Sequence, residues 1–194
     1  MKRSTSVWIA IAVVFVVVQL TFFIGVRKAV RGYRVPTGAM SPTIRPGENV
    51  LVRITKNVSR GDVVAFRYPL NPSYSYVSRI VAVAGDTLEI RSKKLFLNGA
   101  EVNEPYAVHE DPEIYPNQPA LPEPYRSRDH FGPFRVPPGH FFTLSDNRDH
   151  ASDGRYWGAL PAENVTGRVM FVYSMRGIRR IPALPRTPPA PAPR

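Results

Sequence analysis

The chain has 194 residues, 43% of them hydrophobic, which suffices for one globular domain with an ordinary core. It contains no cysteine, and this excludes disulfides, thiolate metal sites and a cysteine nucleophile. Lys and Arg number 26 against 15 Asp and Glu, a formal net charge of +11. The whole excess lies in segments 1–34 and 176–194, which contain no acidic residue. The body between them is formally neutral, so no basic groove for nucleic acid is expected.

The first predicted element is a membrane-spanning helix over residues 7–26, within an N-terminal segment 1–34. These twenty residues carry no charge and, as a helix, would span about 30 Å. The apolar run exceeds the roughly 7–15 residues of a cleaved signal peptide, and no A-x-A-like site follows it. We therefore expect an uncleaved anchor. More basic residues follow the helix than precede it, and this count favours a cytoplasmic location for the second flank.

The body, residues 35–175, is predicted to be mainly β. Runs of β-branched and aromatic residues are broken by Gly, Pro, Asn and Asp, and no further stretch has helical periodicity. Asn98-Gly99 predicts a tight hairpin turn, with Glu101-Val102 starting the return strand. Residues 103–138 are rich in proline and predict an irregular excursion, and residues 176–194 a Pro-rich basic tail. The predicted strands cover residues 50–54, 62–66, 76–83, 87–91, 94–97, 141–144 and 166–173.

Three segments at this order and spacing resemble the type I signal peptidases, membrane-anchored serine endopeptidases. They are VPTGAMSPTI at 35–44, YVSRIVAVAGD at 76–86 and SDNRDHASDGRYWG at 145–158. The resemblance implies a signal-peptidase-like body of two antiparallel β-sheets behind one N-terminal transmembrane helix. It also implies a single-pass protein of the cytoplasmic membrane with its body on the extracytoplasmic side. This orientation opposes the charge count, and we give the resemblance precedence.

The resemblance also assigns the positions of the catalytic groups. In that family a serine hydroxyl attacks the scissile carbonyl and a neutral lysine takes its proton, while a further serine orients the lysine. The family's nucleophile position is occupied here by Ala39, its lysine position by Ser78 and its lysine-orienting position by Ala151. Only Thr37, at the position of the hydroxyl that stabilises the oxyanion, keeps the family's residue type.

The residues around these positions keep the family pattern. We expect four of them to brace the site through ion pairs and turn caps, with the pair Asp153 and Arg155 foremost. Met40 and Pro42 are assigned to peptide binding. The aspartates of the third segment do not follow a calcium-loop spacing, so neither a metal nor another cofactor is expected. The predicted bracing residues are Asp146, Arg148, Asp153 and Arg155.

The first functional hypothesis is a signal peptidase homologue that recognises extended peptides of exported proteins but is catalytically silent. Loss of the nucleophile alone costs about 10⁶ in turnover in a serine hydrolase. The second is an active peptidase with a rearranged centre, in which Ser78 attacks and His150 serves as base. The third is a structural membrane protein that recruits partners through its tail. Membrane lipid is expected to contact the basic flanks of the anchor, and the oligomeric state is left open.

Overall fold

The computed structural model describes residues 2–117, 120 and 125–181. Within these residues the helices are α1 (Lys2–Ala29), α2 (Tyr125–Arg128), α3 (Gly154–Trp157) and a 3₁₀ turn at Ala162–Asn164. The strands are β1 (Val30–Arg34), β2 (Asn49–Arg53), β3 (Val63–Arg67), β4 (Ser75–Val83), β5 (Thr87–Arg91), β6 (Lys94–Leu97), β7 (Ala100–Glu101), β8 (Phe131–Arg135), β9 (His140–Leu144), β10 (Leu160–Pro161), β11 (Val165–Ser174) and β12 (Gly177–Arg180).

Helix α1 contains the predicted segment 7–26 and leads directly into β1. The large apolar side chains from Val7 to Leu20 are all more than half exposed, so they do not pack on the body. The end of the helix is held to the sheet by the amide of Ile54, which donates to the carbonyl of Ala29 at 2.8 Å. Over the described residues, no helix combines the length and the apolarity that crossing a membrane would require.

The larger sheet has eight antiparallel strands. Its order is β1-β2-β11-β3-β4-β9-β10, and β12 pairs with β11. Strands β2 and β11 alternate between buried and less buried residues, as expected when one face of a sheet covers a core. One core cluster joins these strands to the segment that follows β1, through Val35, Met40 and Ile44.

The smaller sheet has the order β7-β6-β5-β8. The hairpin between β6 and β7 turns at Asn98 (φ 53°) and Gly99 (φ 86°), the left-handed pair that a two-residue type I′ turn needs, as predicted. The two sheets share a core, since Leu88 and Leu95 of the smaller sheet pack with Phe142 of the larger one. A single body results, and β4 contributes to its core through Val81 and Ala82.

The seven strands predicted from the sequence are present, each within one residue at either end. Strands also lie in the three segments to which the sequence assigned none, namely 1–34, 103–138 and 176–194. The segment before 34 contains β1 and the excursion contains β8, while the sheet continues to Arg180 because the two-residue loop at 175–176 folds β12 back on β11. All four residues of β12 are exposed, so they lack the hydrophobic alternation that predicts a strand. Residues 182–194 of the predicted tail lie outside the described residues.

Candidate functional site

A cavity of about 390 Å³ opens where the three sequence segments meet. It lies between the loop after β1, the first half of β4 and the loop after β9. Thr37, Ala39, Ser78 and Ala151, the four positions assigned to catalysis, all line it. The lining residues are Tyr33, Arg34, Val35, Pro36, Thr37, Ala39, Met40, Ala65, Phe66, Tyr74, Ser75, Tyr76, Val77, Ser78, Ser145, His150, Ala151 and Ser152.

Ala39 is held by a short turn that is fixed at both ends. The amide of Ser41 donates to the carbonyl of Gly38 at 2.9 Å, and Met40 is 1% exposed within the core. From the third segment, the amide of Asn147 donates to the carbonyl of Ala39 at 2.9 Å. Residue 39 is therefore positioned by a contact that joins two motifs far apart in sequence, and its side chain is only a methyl group.

Ser78 lies in the middle of β4, opposite Val64 of β3. The residue is 3% exposed, and its hydroxyl oxygen is a buried polar atom without a hydrogen-bond partner among the described residues. An unpaired buried hydroxyl costs free energy, on the order of 1–3 kcal/mol. The cavity thus has a buried hydroxyl at the position that the sequence resemblance assigns to an amine, and no described residue provides an acceptor for it.

No lysine lines this cavity among the described residues. Lys56 donates to the carbonyls of Glu163 and Val165, at 2.6 and 2.5 Å. Lys93 donates to the carbonyl of Asp111 at 2.5 Å, and Lys94 lies 3.0 Å from a carboxylate oxygen of Glu101. The three lysines of the body are therefore engaged away from the cavity, and none offers an amine to it without moving.

The pairing of Ser78 with His150 is not present in this structure. Both residues line the cavity. The His150 side chain is 63% exposed and its Nε2 lies 3.2 Å from Oε2 of Glu110, whereas the Ser78 hydroxyl has no partner among the described residues. A general base must reach the hydroxyl that it deprotonates, directly or through one water. A direct contact of this kind between Ser78 and His150 is absent from the described structure.

Two buried ion pairs brace the cavity from behind. Arg79 donates from Nε and Nη2 to the two carboxylate oxygens of Asp146, at 2.8 and 2.6 Å, with both side chains at most 1% exposed. Arg155 makes the same bidentate contact with Asp153, through Nε and Nη2, at 2.9 Å for each hydrogen bond. This is the ion pair that the sequence predicted. Asp153 also accepts from the amide of Ser145 at 3.0 Å, and so fixes a residue that lines the cavity.

The fourth predicted bracing residue, Arg148, ties the site to the excursion. Its Nε donates to the carbonyl of Ser145 at 2.9 Å and its Nη2 to Glu104 at 2.7 Å. Tyr106 donates to the same Glu104 oxygen at 2.6 Å, and its ring lies 4.0 Å from the guanidinium of Arg79. The proline-rich segment is thus joined to the bracing arginines by specific contacts, which the sequence alone did not predict.

The charges of this network are held by their partners. Burial would lower the pKa of Arg155, but the Asp153 carboxylate outweighs burial and raises the pKa above its ordinary value. Burial would raise the pKa of Asp149, but the amide of Asp111 and the Lys93 ammonium group lower it. The pKa of His109 is lowered, first by burial and then by the nearby guanidinium of Arg148. These shifts keep Arg155 and Asp149 charged, and favour neutral His109.

The two residues assigned to peptide binding are separated. Met40 is buried and lines the cavity, whereas Pro42 lines a different depression together with Arg79, Tyr106 and Arg179. Sequence reasoning also missed part of the cavity wall, above all Tyr74 and Tyr76 at the start of β4. Aromatic residues at a strand start carry no signature that distinguishes a cavity wall from ordinary packing. Among the described residues, no three His, Cys, Asp or Glu side chains converge as a metal site requires.

Comparison with known proteins identifies the family. The sequence model described as "Signal peptidase, peptidase S26" matches residues 3–174. The chain is 32% identical to a signal peptidase I of Pseudomonas fluorescens, over 83% of this chain and 69% of the relative. It is 30% identical to a signal peptidase IB of Staphylococcus aureus strain Mu50, over 88% of this chain and 90% of the relative.

Among solved structures, a signal peptidase I from Enterococcus faecalis V583 matches with a TM-score of 0.44 and 26% identity, over 58% of this chain and 96% of that one. The match of the family's sequence model covers far more than half of the chain. The structure defines a mainly antiparallel β protein whose cavity is built from three segments far apart in the sequence. The chain belongs to the signal peptidase family, peptidase S26.

Proposed function

We propose that this chain is a catalytically silent signal peptidase homologue that binds extended peptides of exported proteins in the cavity without cutting them. The observation that carries the proposal is the convergence of Ala39, Ser78 and Ala151 on one cavity. Where the family places a hydroxyl, an amine and a second hydroxyl, the chain presents a methyl, a hydroxyl and a methyl. At these three positions the chain therefore presents no nucleophile paired with an amine base, and no hydroxyl that would orient such a base.

The edge of β4 supports peptide binding. Strand β4 pairs with β3 over residues 75–79, but with β9 only from Arg79 to Val83. On the side of β9, the first half of β4 therefore has no strand partner among the described residues, and it borders the cavity. A free strand edge next to an apolar cavity can add an extended peptide through main-chain hydrogen bonds, with the cavity accepting side chains.

We further propose that α1 anchors the protein in the cytoplasmic membrane as a single span, with the body on the extracytoplasmic side. The support is the set of apolar side chains between Val7 and Leu20, exposed around the helix and uncovered by the body. Water is an unfavourable environment for so continuous an apolar surface. Lipid would cover it, and substrates that emerge from the membrane would reach the cavity nearby.

A binding assay with a parallel cleavage assay tests the proposal. The full chain in detergent micelles is titrated against a fluorescent peptide that spans a signal-peptide cleavage junction. Anisotropy reports binding, and mass spectrometry of the same sample reports product. We expect saturable binding and no product above the buffer rate. Cleavage at the junction that disappears in Ser78→Ala or His150→Ala would instead establish the rearranged centre.

Matched variants locate the binding. Ala39→Leu places a larger side chain in the cavity, whereas Ala100→Leu adds the same atoms at an exposed position of the smaller sheet. We expect the first variant to weaken binding about tenfold or more and the second to leave it unchanged. Equal binding by both variants would mean that the peptide is held elsewhere, and the proposed function would fail.

A further inference from the structure

The described side chains that line the cavity include hydroxyl and cationic groups but no carboxylate. Thr37, Ser75, Ser78, Ser145 and Ser152 place hydroxyls along its wall. Two ionisable nitrogen groups, from Arg34 and His150, lie among the lining residues, and no aspartate or glutamate does within the described chain. The wall offers several donors and a positive charge, with no fixed negative charge to repel an anion.

The buried hydroxyl of Ser78 is a donor in the cavity that has no acceptor in the described part of the chain. The amide of half-buried Ala39, which lines the same cavity, donates to no backbone carbonyl within the described residues. Buried donors are nearly always paired in folded proteins, so the Ser78 hydroxyl points to a ligand that accepts hydrogen bonds.

Arg34 supplies the uncompensated charge. Its side chain is exposed, and within the described residues it lies within 4 Å of no carboxylate. The nearest acid to the cavity's other ionisable group, Glu110, is already shared between His150 and the side-chain amide of Asn147. Arg34 is therefore the lining residue with a permanent charge, and no lining residue of the described chain carries a negative one.

We propose that the preferred ligand of this cavity is a peptide with a free C-terminal carboxylate, the product of a cut made by another peptidase, rather than an uncut peptide. The inference rests on the proposed function and names its ligand class. A carboxylate has two acceptor oxygens and a negative charge, and so satisfies the donors and Arg34 together. An internal peptide bond offers one uncharged acceptor oxygen. Its N–H group has no carboxylate acceptor among the lining residues of the described chain.

The substitutions themselves suit such a ligand. With a methyl group at residue 39, no hydroxyl oxygen competes for the space next to the free amide of that residue. A hydroxyl at residue 78 can donate to an anion without the desolvation cost of a buried charged amine. The chain would then act on released signal peptides, after cleavage and before their degradation.

Three versions of one peptide test the inference. The probe is a ten-residue apolar peptide that ends in alanine, prepared as the free acid, as the C-terminal amide, and extended by five residues past the same alanine. Anisotropy with the full chain in detergent gives the three dissociation constants at low and at physiological salt. We expect the free acid to bind about tenfold more tightly than the amide or the extended peptide, and this preference to shrink as salt rises.

Variants of exposed residues show which side chains bind the C-terminal carboxylate of the peptide. Arg34→Gln should reduce the acid-over-amide preference about threefold or more. Arg53→Gln, at the other end of the β1–β2 hairpin, should have no effect, since Arg53 is exposed and does not line the cavity. Thr37→Val removes a hydroxyl at nearly constant volume and should reduce the same preference.

The outcomes separate the two proposals. If none of the peptides binds, the proposed function itself fails. If all three bind equally, or the extended peptide binds best, the cavity holds peptides but does not select a free carboxylate, and this inference is overturned. An acid preference that persists unchanged in Arg34→Gln and Thr37→Val would place the anion site elsewhere and would overturn it as well.

Discussion

Removal of the Asp153 carboxylate should destabilise the body severely. The side chain is 0% exposed, and its two oxygens accept four hydrogen bonds: two from the guanidinium of Arg155, one from the amide of Arg155 and one from the amide of Ser145. Asp153→Ala leaves a fully buried guanidinium without its counter-charge and two amides without acceptors. Breaking a buried pair in this way costs about 3–5 kcal/mol.

The structure sets an upper limit to that loss. Arg155 keeps two other acceptors, the carbonyls of Arg128 and Arg148, at 2.8 and 2.6 Å. These bonds hold the guanidinium in place but do not neutralise it. We expect the free energy of unfolding to fall by about 4 kcal/mol, a large part of the 5–15 kcal/mol typical of a domain. Asp153→Asn keeps the volume and one carbonyl acceptor and should lose about half as much.

Urea unfolding of the full chain in detergent, followed by tryptophan fluorescence, measures the effect. The double variant Asp153→Ala with Arg155→Met removes both charges, and it should recover part of the loss because no charge is then left buried alone. A loss below about 1 kcal/mol in Asp153→Ala, or a double variant no more stable than the single one, would refute the reasoning from burial.

Two further predictions concern pH and packing. Burial and the Arg148 guanidinium lower the pKa of His109, so the unfolded chain binds a proton more readily than the folded one. The free energy of unfolding should therefore decrease as the pH falls below about 6.5. Urea titrations at pH 5 to 8 should show a smaller change of this free energy with pH in His109→Asn than in the unchanged chain. Gly167→Ala would place its Cβ 2.3 Å from the carbonyl oxygen of Arg53 and should cost about 1–3 kcal/mol, whereas Gly25→Ala, with open space around it, should cost nothing measurable in the same assay.

The strands could be predicted because their residues face a core on one side. The alternation of Val50 and Val52 with less buried neighbours in β2 is visible in the sequence, as is the turn at Asn98-Gly99. Strand β12 is exposed throughout and has no such pattern, so composition alone placed it in the tail. Prediction of strands from periodicity succeeds where burial imposes a period, and fails at exposed edges.

The site could be predicted only through the resemblance, since its contacts join distant positions. The carbonyl of Ala39 accepts a hydrogen bond from the amide of Asn147 because the fold brings these two segments together. No local sequence pattern predicts that two residues so far apart in the chain are in contact. The contacts of the excursion were missed for a related reason. Glu104 and Tyr106 lie in proline-rich backbone without a period, so nothing in the sequence indicated their contacts with Arg148 and Arg79.

The retained ion pairs lead to a final prediction, that catalysis can be rebuilt. The ion pairs of Arg79 with Asp146 and of Arg155 with Asp153 do not include Ala39, Ser78 or Ala151. Under the proposed function, the combined change Ala39→Ser, Ser78→Lys and Ala151→Ser would supply the nucleophile, the amine and the supporting hydroxyl that the resemblance assigns to these positions. Burial at residue 78, which is 3% exposed, should lower the pKa of the new lysine and favour its neutral form.

Because such groups act as a unit, the three single variants should remain inactive, while the triple variant should cleave a junction peptide about 10³-fold faster than the unchanged chain, or more. Mass spectrometry of the products checks both the rate and the position of the cut. A triple variant that binds the peptide but releases no product would show that the bracing pairs no longer hold the catalytic geometry. Cleavage by the unchanged chain at a comparable rate would show instead that Ala39 does not occupy the nucleophile's place.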